Sequence, residues 1–238
     1  MEKFDIFRGV TAIVLILIFL TILLVRTVFK GRVLTTKLIT RVAIFSSIAS
    51  LLYIIPYLKF SLPFFPSFLE IHFDEVVAMI SGFAYGPVCG FLVVFIKTII
   101  KLPFTGSACV GELTDFIYGS ILVIVSALIY KKHRNIKGAF FGLLIASATQ
   151  VVVSSFLTTF AILDIYCGVY RITREVILGM CHTINPLINN LTWDFLLMVA
   201  LPFNALKDAI LLVLTFIFYK KTKFLIEKAT EQIVLQKS

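Results

Sequence analysis

The sequence is poor in charged residues and in ordered cysteine or histidine patterns. Only 15% of its 238 residues are Asp, Glu, Lys or Arg, whereas 60% are hydrophobic. A soluble domain of this length needs a polar shell, so the shortage of charge excludes a soluble globular protein. The four cysteines show no C-x-x-C spacing, and the three histidines are far apart. Neither a disulfide framework nor a metal site is therefore predicted.

Long apolar runs take the place of the missing charge. A membrane-spanning helix needs about 20 apolar residues. Such runs occupy residues 10–29, 38–57, 76–100, 116–130, 138–165 and 191–219. The third run contains Gly86-Pro87, which predicts two short helices joined by a tight turn. No internal repeat is present, so an inverted-repeat transporter is not indicated.

We therefore predict an all-α membrane protein in which a six-helix bundle follows one extra N-terminal transmembrane helix. Residues 1–36 supply that helix and a basic linker, residues 37–224 supply the six-helix membrane domain, and residues 225–238 form a cytoplasmic tail. No small-x-small cleavage site follows the first apolar run, so an uncleaved anchor is favoured over a signal peptide.

Basic residues cluster in three connections between the apolar runs. These clusters are Lys30, Arg32, Lys37 and Arg41, then the segment KKHRNIK at 131–137, then Lys220, Lys221 and Lys223. With six helices after residue 37, all three clusters fall on one side, which the positive-inside rule makes cytoplasmic. The chain is thus expected in the cell membrane with its C-terminus in the cytoplasm. The basic excess indicates orientation in a lipid bilayer and not binding to nucleic acid.

Polar residues interrupt the last apolar run. The segment LPFNALKDAI, residues 201–210, places Asn204 and Lys207 three positions apart, on one face of a helix. A lysine at the centre of a membrane helix costs about 2.5–3.5 kcal/mol on insertion scales, so a compensating role is expected. Pro202 removes one helical hydrogen bond and predicts a kink. Ligand binding is favoured, and the alternative is a structural ion pair of Lys207 with Asp208 or another acid.

A pair of acidic residues allows a second class of function. Glu112 and Asp115 are three positions apart, and paired carboxylates suit a divalent metal or acid-base catalysis. Together with Asp74 they would fit a metal-dependent membrane enzyme that acts on a lipid. The alternative is an acidic helix N-terminus, which the helix dipole favours. A structural or assembly protein without a ligand is the third class that remains open.

Four segments in this order resemble one known family. They are FLEIHFDEVVAMISGFAYGPVCG (68–90), VGELTDF (110–116), GMCHTINPLINN (179–190) and LPFNALKDAI. Over residues 38–222 the chain resembles the riboflavin-specific substrate-binding (S) components of energy-coupling-factor (ECF) vitamin transporters.

The resemblance implies a six-helix protein that captures riboflavin from outside the cell. It implies no enzyme activity and no cofactor, since riboflavin is the transported ligand. The expected partners are a transmembrane coupling subunit and two ATP-binding-cassette ATPases. No GxxxxGK[ST] motif is present in the chain, as expected if those partners hydrolyse ATP.

The resemblance also assigns a ligand site residue by residue. The positions that it places at the flavin are Glu75, Asn204, Lys207, His72, Asp115 and Thr158. His72 stands where the family has aspartate, whereas Asp115 and Thr158 stand where it has asparagine. Hydrogen-bonding capacity survives at these three positions, but its sign and reach change. An S component for a different vitamin or a flavin relative is therefore the alternative.

A contact surface for the coupling subunit is predicted on the first core helix. The segment RVAIFSSIAS places Ala43 and Ser47 four residues apart, and Ser46 and Ser50 repeat that spacing on another face. Small residues four apart let membrane helices approach closely, either between subunits or within one bundle. We predict that Ala43 and Ser47 face the partner.

Overall fold

The computed structural model describes Arg26 and residues 35–106 and 108–235. Apart from Arg26, the predicted N-terminal transmembrane helix at 10–29 lies outside the described residues. The described chain is a helical bundle. Its helices are α1 (Thr36–Ile54), α2 (Asp74–Tyr85), α3 (Pro87–Lys101), α4 (Val110–Lys132), α5 (Ile136–Leu157), α6 (Leu163–Tyr170), α7 (Arg174–Ile184), α8 (Trp193–Phe195) and α9 (Leu201–Leu235).

Two π-helical turns, two short 3-10 helices and one small hairpin complete the architecture of the described residues. The 3-10 helices are Pro56–Leu58 and Leu102–Phe104. The π-helical turns Thr158–Ile162 and Leu196–Ala200 join α5 to α6 and α8 to α9. Between α1 and α2, β1 (Phe60–Ser61) pairs antiparallel with β2 (Glu70–Ile71), with Phe60 opposite Ile71. The fold is thus predominantly helical, with a two-residue ladder confined to one loop.

Five stretches among the described residues are long and apolar enough to cross a membrane. They are Thr36–Ile54, Pro87–Phe104, Val110–Lys132, Ile136–Tyr170 and Trp193–Phe224. Helix α2 has 12 residues, fewer than the roughly 20 that a straight crossing needs. The prediction of a multi-pass helical membrane protein is confirmed at this level.

The reversal between α2 and α3 has the predicted form. Gly86 adopts φ of 96°, a conformation that suits glycine, and Pro87 opens α3 at a position where its missing N–H costs nothing. Gly82 and Gly90 then allow the two helices to approach closely, because a Cβ atom on Gly90 would lie 3.0 Å from the Cα atom of Gly82. The prediction of two short helices and a tight turn is confirmed.

Several helix boundaries differ from the sequence prediction. Helix α4 begins at Val110, not at residue 116, because the polar residues of GELTD are accommodated inside the protein and do not end the helix. Helix α5 ends at Leu157, where the π-helical turn widens the backbone. Helix α9 continues to Leu235 and so extends past residue 225, the predicted start of the tail.

The hydrophobic core lies where α1 to α5 and α9 meet. It contains Ala78, Val93, Val123 and Leu143, whose side chains are fully buried. Small side chains at several of these positions let the helices pack tightly. Close packing of this kind is usual in membrane proteins, because the hydrophobic effect does not drive helices together inside the bilayer.

The basic clusters and the polar interior occupy opposite ends of the bundle. Arg41 stacks on Tyr85 with 4.5 Å between the guanidinium carbon and the ring centroid. Two residues before Tyr85 in α2, Phe83 contacts the rings of Tyr130 and Tyr219, with centroid distances of 4.8 and 5.8 Å. One end of the bundle therefore brings together the start of α1, the α4–α5 connection and the part of α9 around Tyr219.

Candidate functional site

A cavity of about 940 Å³ opens at the other end of the bundle. The end of α1, the start of α4, the π-helical turn after α5 and the start of α9 form its walls, and the hairpin loop and α7 contribute to its rim. Its aromatic lining residues are Tyr53, Phe68, Phe104, Tyr118, Tyr166, Tyr170 and Phe203. The volume falls within the range of about 300–1,000 Å³ that is usual for small-molecule sites.

Lys207 is a buried charged residue at the floor of the cavity. Its side chain is only 5% exposed, and its Nζ atom lies 3.8 Å from Oε1 of Glu75 and 3.7 Å from Oδ1 of Asp115. The π-helical turn Leu196–Ala200 leads directly into α9. The second residue of α9 is Pro202, which has no backbone N–H to donate. The sequence predicted a kink at Pro202, and the structure has a π-helical turn that ends two residues before it.

Asp115 connects three elements of the cavity wall. Its Oδ2 atom accepts a hydrogen bond of 2.7 Å from the Tyr53 hydroxyl of α1 and lies 3.5 Å from Nε2 of His72. Its Oδ1 atom faces Lys207. His72 and Asp115, two of the three positions at which the sequence departs from the family it resembles, therefore form one polar pair. The Nδ1 atom of His72 has no hydrogen-bond partner among the described residues.

Asn204 and Thr158 occupy the same cavity wall. The Asn204 amide nitrogen donates to Oγ of Ser155 at 3.2 Å and to the carbonyl oxygen of Ala200 at 2.8 Å, so the amide oxygen is the group it can offer to a ligand. The Thr158 hydroxyl lies 2.9 Å from the Tyr118 hydroxyl. The π-helical turn that begins at Thr158 brings this residue to the cavity.

Glu75 has a different position from the one expected. The sequence suggested that it arrives from an outer loop, but it lies in the first turn of α2 and is 2% exposed. It is absent from the cavity lining and contacts Lys207 from behind. The structure thus brings His72, Asp115, Thr158, Asn204 and Lys207 to the cavity surface and places Glu75 in the layer beneath them.

Sequence reasoning missed a second buried lysine. Lys97 of α3 is fully buried and forms an ion pair and hydrogen bond with Asp74. Its Nζ atom also lies 5.0 Å from the centroid of the Tyr53 ring. The signal was present, since Lys97 interrupts the apolar run FLVVFIKTII just as Lys207 interrupts the last one.

The carboxylates proposed for metal-dependent catalysis do not assemble. Asp74 is engaged by Lys97, and Glu112 accepts a hydrogen bond of 2.8 Å from the Thr105 hydroxyl. Asp115 faces Tyr53 and Lys207. Within residues 35–106 and 108–224, no group of three or more His, Cys, Asp or Glu side chains is arranged to hold a metal ion.

The two small-residue stripes on α1 face different environments. Ala43 and Ser47 are exposed on the outside of the bundle, whereas Ser46 and Ser50 are buried within it. The Ser47 hydroxyl donates to the Ala43 carbonyl oxygen at 2.8 Å, which keeps this polar group satisfied on an apolar surface.

Several known proteins are similar to this chain. The "Riboflavin transporter RibU" of Staphylococcus aureus (strain TCH60) is 26% identical over 181 residues, which cover 76% of this chain and 89% of the relative. The "Riboflavin transporter FmnP" of Bacillus subtilis (strain 168) is 30% identical over 131 residues, which cover 54% of this chain and 69% of the relative.

The fold is also similar to that of a solved protein, the S component of a bacterial ECF transporter. The two superpose with a TM-score of 0.61 at 26% sequence identity, over 79% of this chain and 97% of the other. The family model described as "ECF transporter, substrate-specific component" matches residues 37–219. That family comprises transporter components and not enzymes. The chain therefore belongs to the family of substrate-specific components of ECF transporters.

Proposed function

We propose that this protein is the riboflavin-binding membrane subunit of an ECF-type importer. The observation that carries the proposal is the cavity of about 940 Å³ with Lys207 at its floor, in a chain whose relatives include two named riboflavin transporters. A charged side chain buried at membrane depth is costly, and such residues usually mark a substrate or ion site. The open cavity beside Lys207 is therefore interpreted as a ligand site.

The chemistry of the cavity matches a flavin. Riboflavin combines a flat aromatic ring system, edged with carbonyl and nitrogen acceptors, with a flexible ribityl chain of hydroxyl groups. Tyr166 and Tyr170 stack with 5.7 Å between their centroids, and Phe68 lies beside Tyr166 at 6.3 Å. These rings offer flat apolar surface to the ring system.

The polar lining residues supply donors and acceptors for the rest of the ligand. Lys207 donates to a ring carbonyl or a ribityl oxygen, and Asn204 offers its amide oxygen one turn away. Asp115 accepts from ribityl hydroxyls, while His72 and Thr158 complete the polar wall. Glu75 acts indirectly in this scheme, because it contacts Lys207 and helps to fix the position of its ammonium group.

The departures from the family pattern favour one specific alternative. His72 and Asp115 pair with each other at 3.5 Å, so together they present a hydrogen-bonding pattern that differs from an aspartate and an asparagine. A flavin relative with a different side chain or ring substituent is thus the alternative substrate. Competition between riboflavin and such relatives distinguishes the two substrates.

We further propose that the cavity opens to the outside of the cell and that the C-terminus is cytoplasmic. This orientation is supported by the end of the bundle at which the start of α1, the α4–α5 connection and the part of α9 around Tyr219 meet. Those segments carry the three clusters of basic residues, which the positive-inside rule places in the cytoplasm. In this arrangement the short helix α2 joins the five membrane-spanning stretches to make six core helices. Residues 37–224 are then the membrane domain. Residues 1–36 add the N-terminal helix and its linker. Residues 225–238 are then the cytoplasmic tail.

Transport itself requires partners in this proposal. The exposed stripe of Ala43 and Ser47 on α1 is the contact surface for the transmembrane coupling subunit, because small side chains permit close helix packing. Two ATP-binding-cassette ATPases supply the energy.

A visible absorption spectrum tests the proposed substrate. The protein is purified in detergent from cells grown with riboflavin, and its spectrum is recorded before and after dialysis. We expect flavin bands in the purified protein and quenching of riboflavin fluorescence on back-titration. A colourless protein that also fails to quench added riboflavin contradicts the proposal.

A further inference from the structure

Asp208 is the most isolated charged group in the described part of the protein. It follows Lys207 in α9 and is 1% exposed, yet neither of its carboxyl oxygens has a hydrogen-bond partner among the described residues. The ion pairs of Lys207 are with Glu75 and Asp115, so the lysine does not neutralise its sequence neighbour by direct contact.

The register between α9 and α2 places Asp208 beside the acidic start of α2. The Thr215 hydroxyl approaches the Met79 sulfur at 4.0 Å, and these residues are 136 positions apart. Asp208 lies two turns before Thr215 on the same face, because seven residues make about two helical turns. Counting back seven residues from Met79 reaches His72, just before α2 begins at Asp74. The residue before Asp208, Lys207, places its Nζ atom 3.8 Å from Oε1 of Glu75, so this turn of α9 lies against the first turn of α2. One Glu75 oxygen, Oε2, also lacks a partner among the described residues.

The buried charges around this point do not balance. Among the side chains that the structure describes, the buried or nearly buried lysines are Lys97, Lys101 and Lys207. The buried or nearly buried carboxylates are Asp74, Glu75, Glu112, Asp115 and Asp208. Acidic groups remain in excess even if His72 is counted as a cation. An uncompensated buried carboxylate is so costly that such a group takes up a proton instead.

The contacts indicate which group takes the proton. Asp74 pairs with Lys97, Asp115 with Tyr53 and Lys207, and Glu112 with Thr105. Glu75 pairs with Lys207. Helix α5, which packs against the other side of α9, carries no acidic or basic residue after Lys137. Among the buried carboxylates that the structure describes, only Asp208 lacks both a cation and a donor.

We propose that Asp208 is a proton-binding site, a neutral carboxylic acid that shares its proton with the unpartnered oxygen of Glu75. The proton leaves Glu75 and Asp115 free to pair with Lys207, and so it keeps the lysine in place at the cavity floor. If Asp208 lost its proton, a third carboxylate would compete for one lysine. The proposal concerns the protein without ligand and does not depend on the identity of the substrate.

Infrared spectroscopy of the purified full chain tests this site. A protonated carboxylic acid has a C=O stretching band that is separate from carboxylate and amide bands. We expect this band at neutral pH in the wild type and in Asp164→Asn, where the altered aspartate is exposed and paired with Arg174. The band should be lost in Asp208→Asn. An unchanged band in Asp208→Asn overturns the proposal.

The pH dependence of unfolding gives a second readout. An unfolded aspartate releases its proton near about pH 4, so between pH 5 and 8 the folded wild type holds one more proton than the unfolded chain. Its stability therefore falls as pH rises, and Asp208→Asn should lack that contribution. Stabilisation by added sodium in the wild type alone would mean that a metal ion occupies the site, which also overturns the proposal. If Asp208→Asn does not fold, the wild type is instead labelled with isotopically substituted aspartate. The C=O stretching band of the protonated acid should then shift, and an unshifted band counts against Asp208.

Discussion

The Tyr53 hydroxyl at the end of α1 donates a hydrogen bond of 2.7 Å to Asp115 of α4 across 62 positions of sequence. The same Asp115 side chain lies beside Lys207 at the cavity floor. Helix α1 also carries Ala43 and Ser47 on its exposed surface. One helix thus links the cavity to the surface that we propose for the coupling subunit.

We expect Tyr53→Phe to destabilise the protein. The substitution removes the hydrogen-bond donor from the partly buried Asp115 carboxylate, which costs about 1–3 kcal/mol in unfolding free energy. The measurement is unfolding in detergent at neutral pH. Tyr57→Phe is the matched control, because Tyr57 is 96% exposed and its hydroxyl should contribute nothing measurable. Equal stability of the two variants would contradict the role assigned to the Tyr53–Asp115 bond.

The buried pair of Lys97 and Asp74 should show strong coupling. Lys97→Met leaves the Asp74 carboxylate buried without its cation, which costs about 3–5 kcal/mol. Adding Asp74→Asn to that variant removes the unpaired charge and should restore part of the loss. Unfolding of both single variants and the double variant completes the cycle. Additive losses would mean that the two side chains do not interact.

A surface pair provides the reference for that cycle. Lys59 and Glu70 are 2.7 Å apart, but both side chains are partly exposed. Because water and salt screen such a pair, Lys59→Met should cost only about 0–1 kcal/mol.

Bulky residues on α1 should separate binding from transport. Ala43→Trp or Ser47→Trp should leave flavin binding intact but reduce uptake into cells that carry the whole transporter, since close packing against the partner needs small side chains. Val152→Trp, on an exposed part of α5, is the control and should retain uptake. Simultaneous loss of binding and uptake would show that Ala43 and Ser47 serve the fold of the subunit itself.

Thiol labelling should establish the orientation in the membrane. Cys89 and Cys181 are buried and Cys109 and Cys167 are partly exposed, so all four are first replaced. A membrane-impermeant thiol reagent should then label Tyr57→Cys in intact cells. His133→Cys, between α4 and α5, should react only after permeabilisation, because the positive-inside rule makes that connection cytoplasmic. The reverse pattern would invert the proposed topology.

Much of the fold followed from local sequence chemistry. Apolar runs of membrane-spanning length predicted the five described stretches that can cross a membrane, and the Gly86-Pro87 break predicted the reversal between α2 and α3. The sequence did not predict α7, which lies in a connection between apolar runs. The boundaries were harder to predict. Val110 opens α4 six residues early, since tertiary contacts of Asp115 with other helices satisfy polar groups that the sequence suggested would lie in a loop.

The candidate site was less predictable than the fold. Motif resemblance and the intramembrane lysine pointed to Lys207 and Asn204, which lie on the cavity. The sequence could not show that Glu75 lies behind Lys207, because that depends on how α2 packs against α9. It also could not pair His72 with Asp115, which are brought together only by the packing of α1, α2 and α4.

Calorimetric titration of riboflavin into wild type, Lys207→Met and Asn204→Ala tests the central claim most directly. Loss of a charged hydrogen-bond partner should cost about 1.5–3 kcal/mol of binding free energy, or roughly 10- to 150-fold in the dissociation constant for Lys207→Met. Asn204→Ala should also weaken binding, whereas Lys220→Met, at an exposed position at the opposite end, should not. Wild-type affinity in both site variants, with folding intact, would contradict the assignment of this cavity as the riboflavin site.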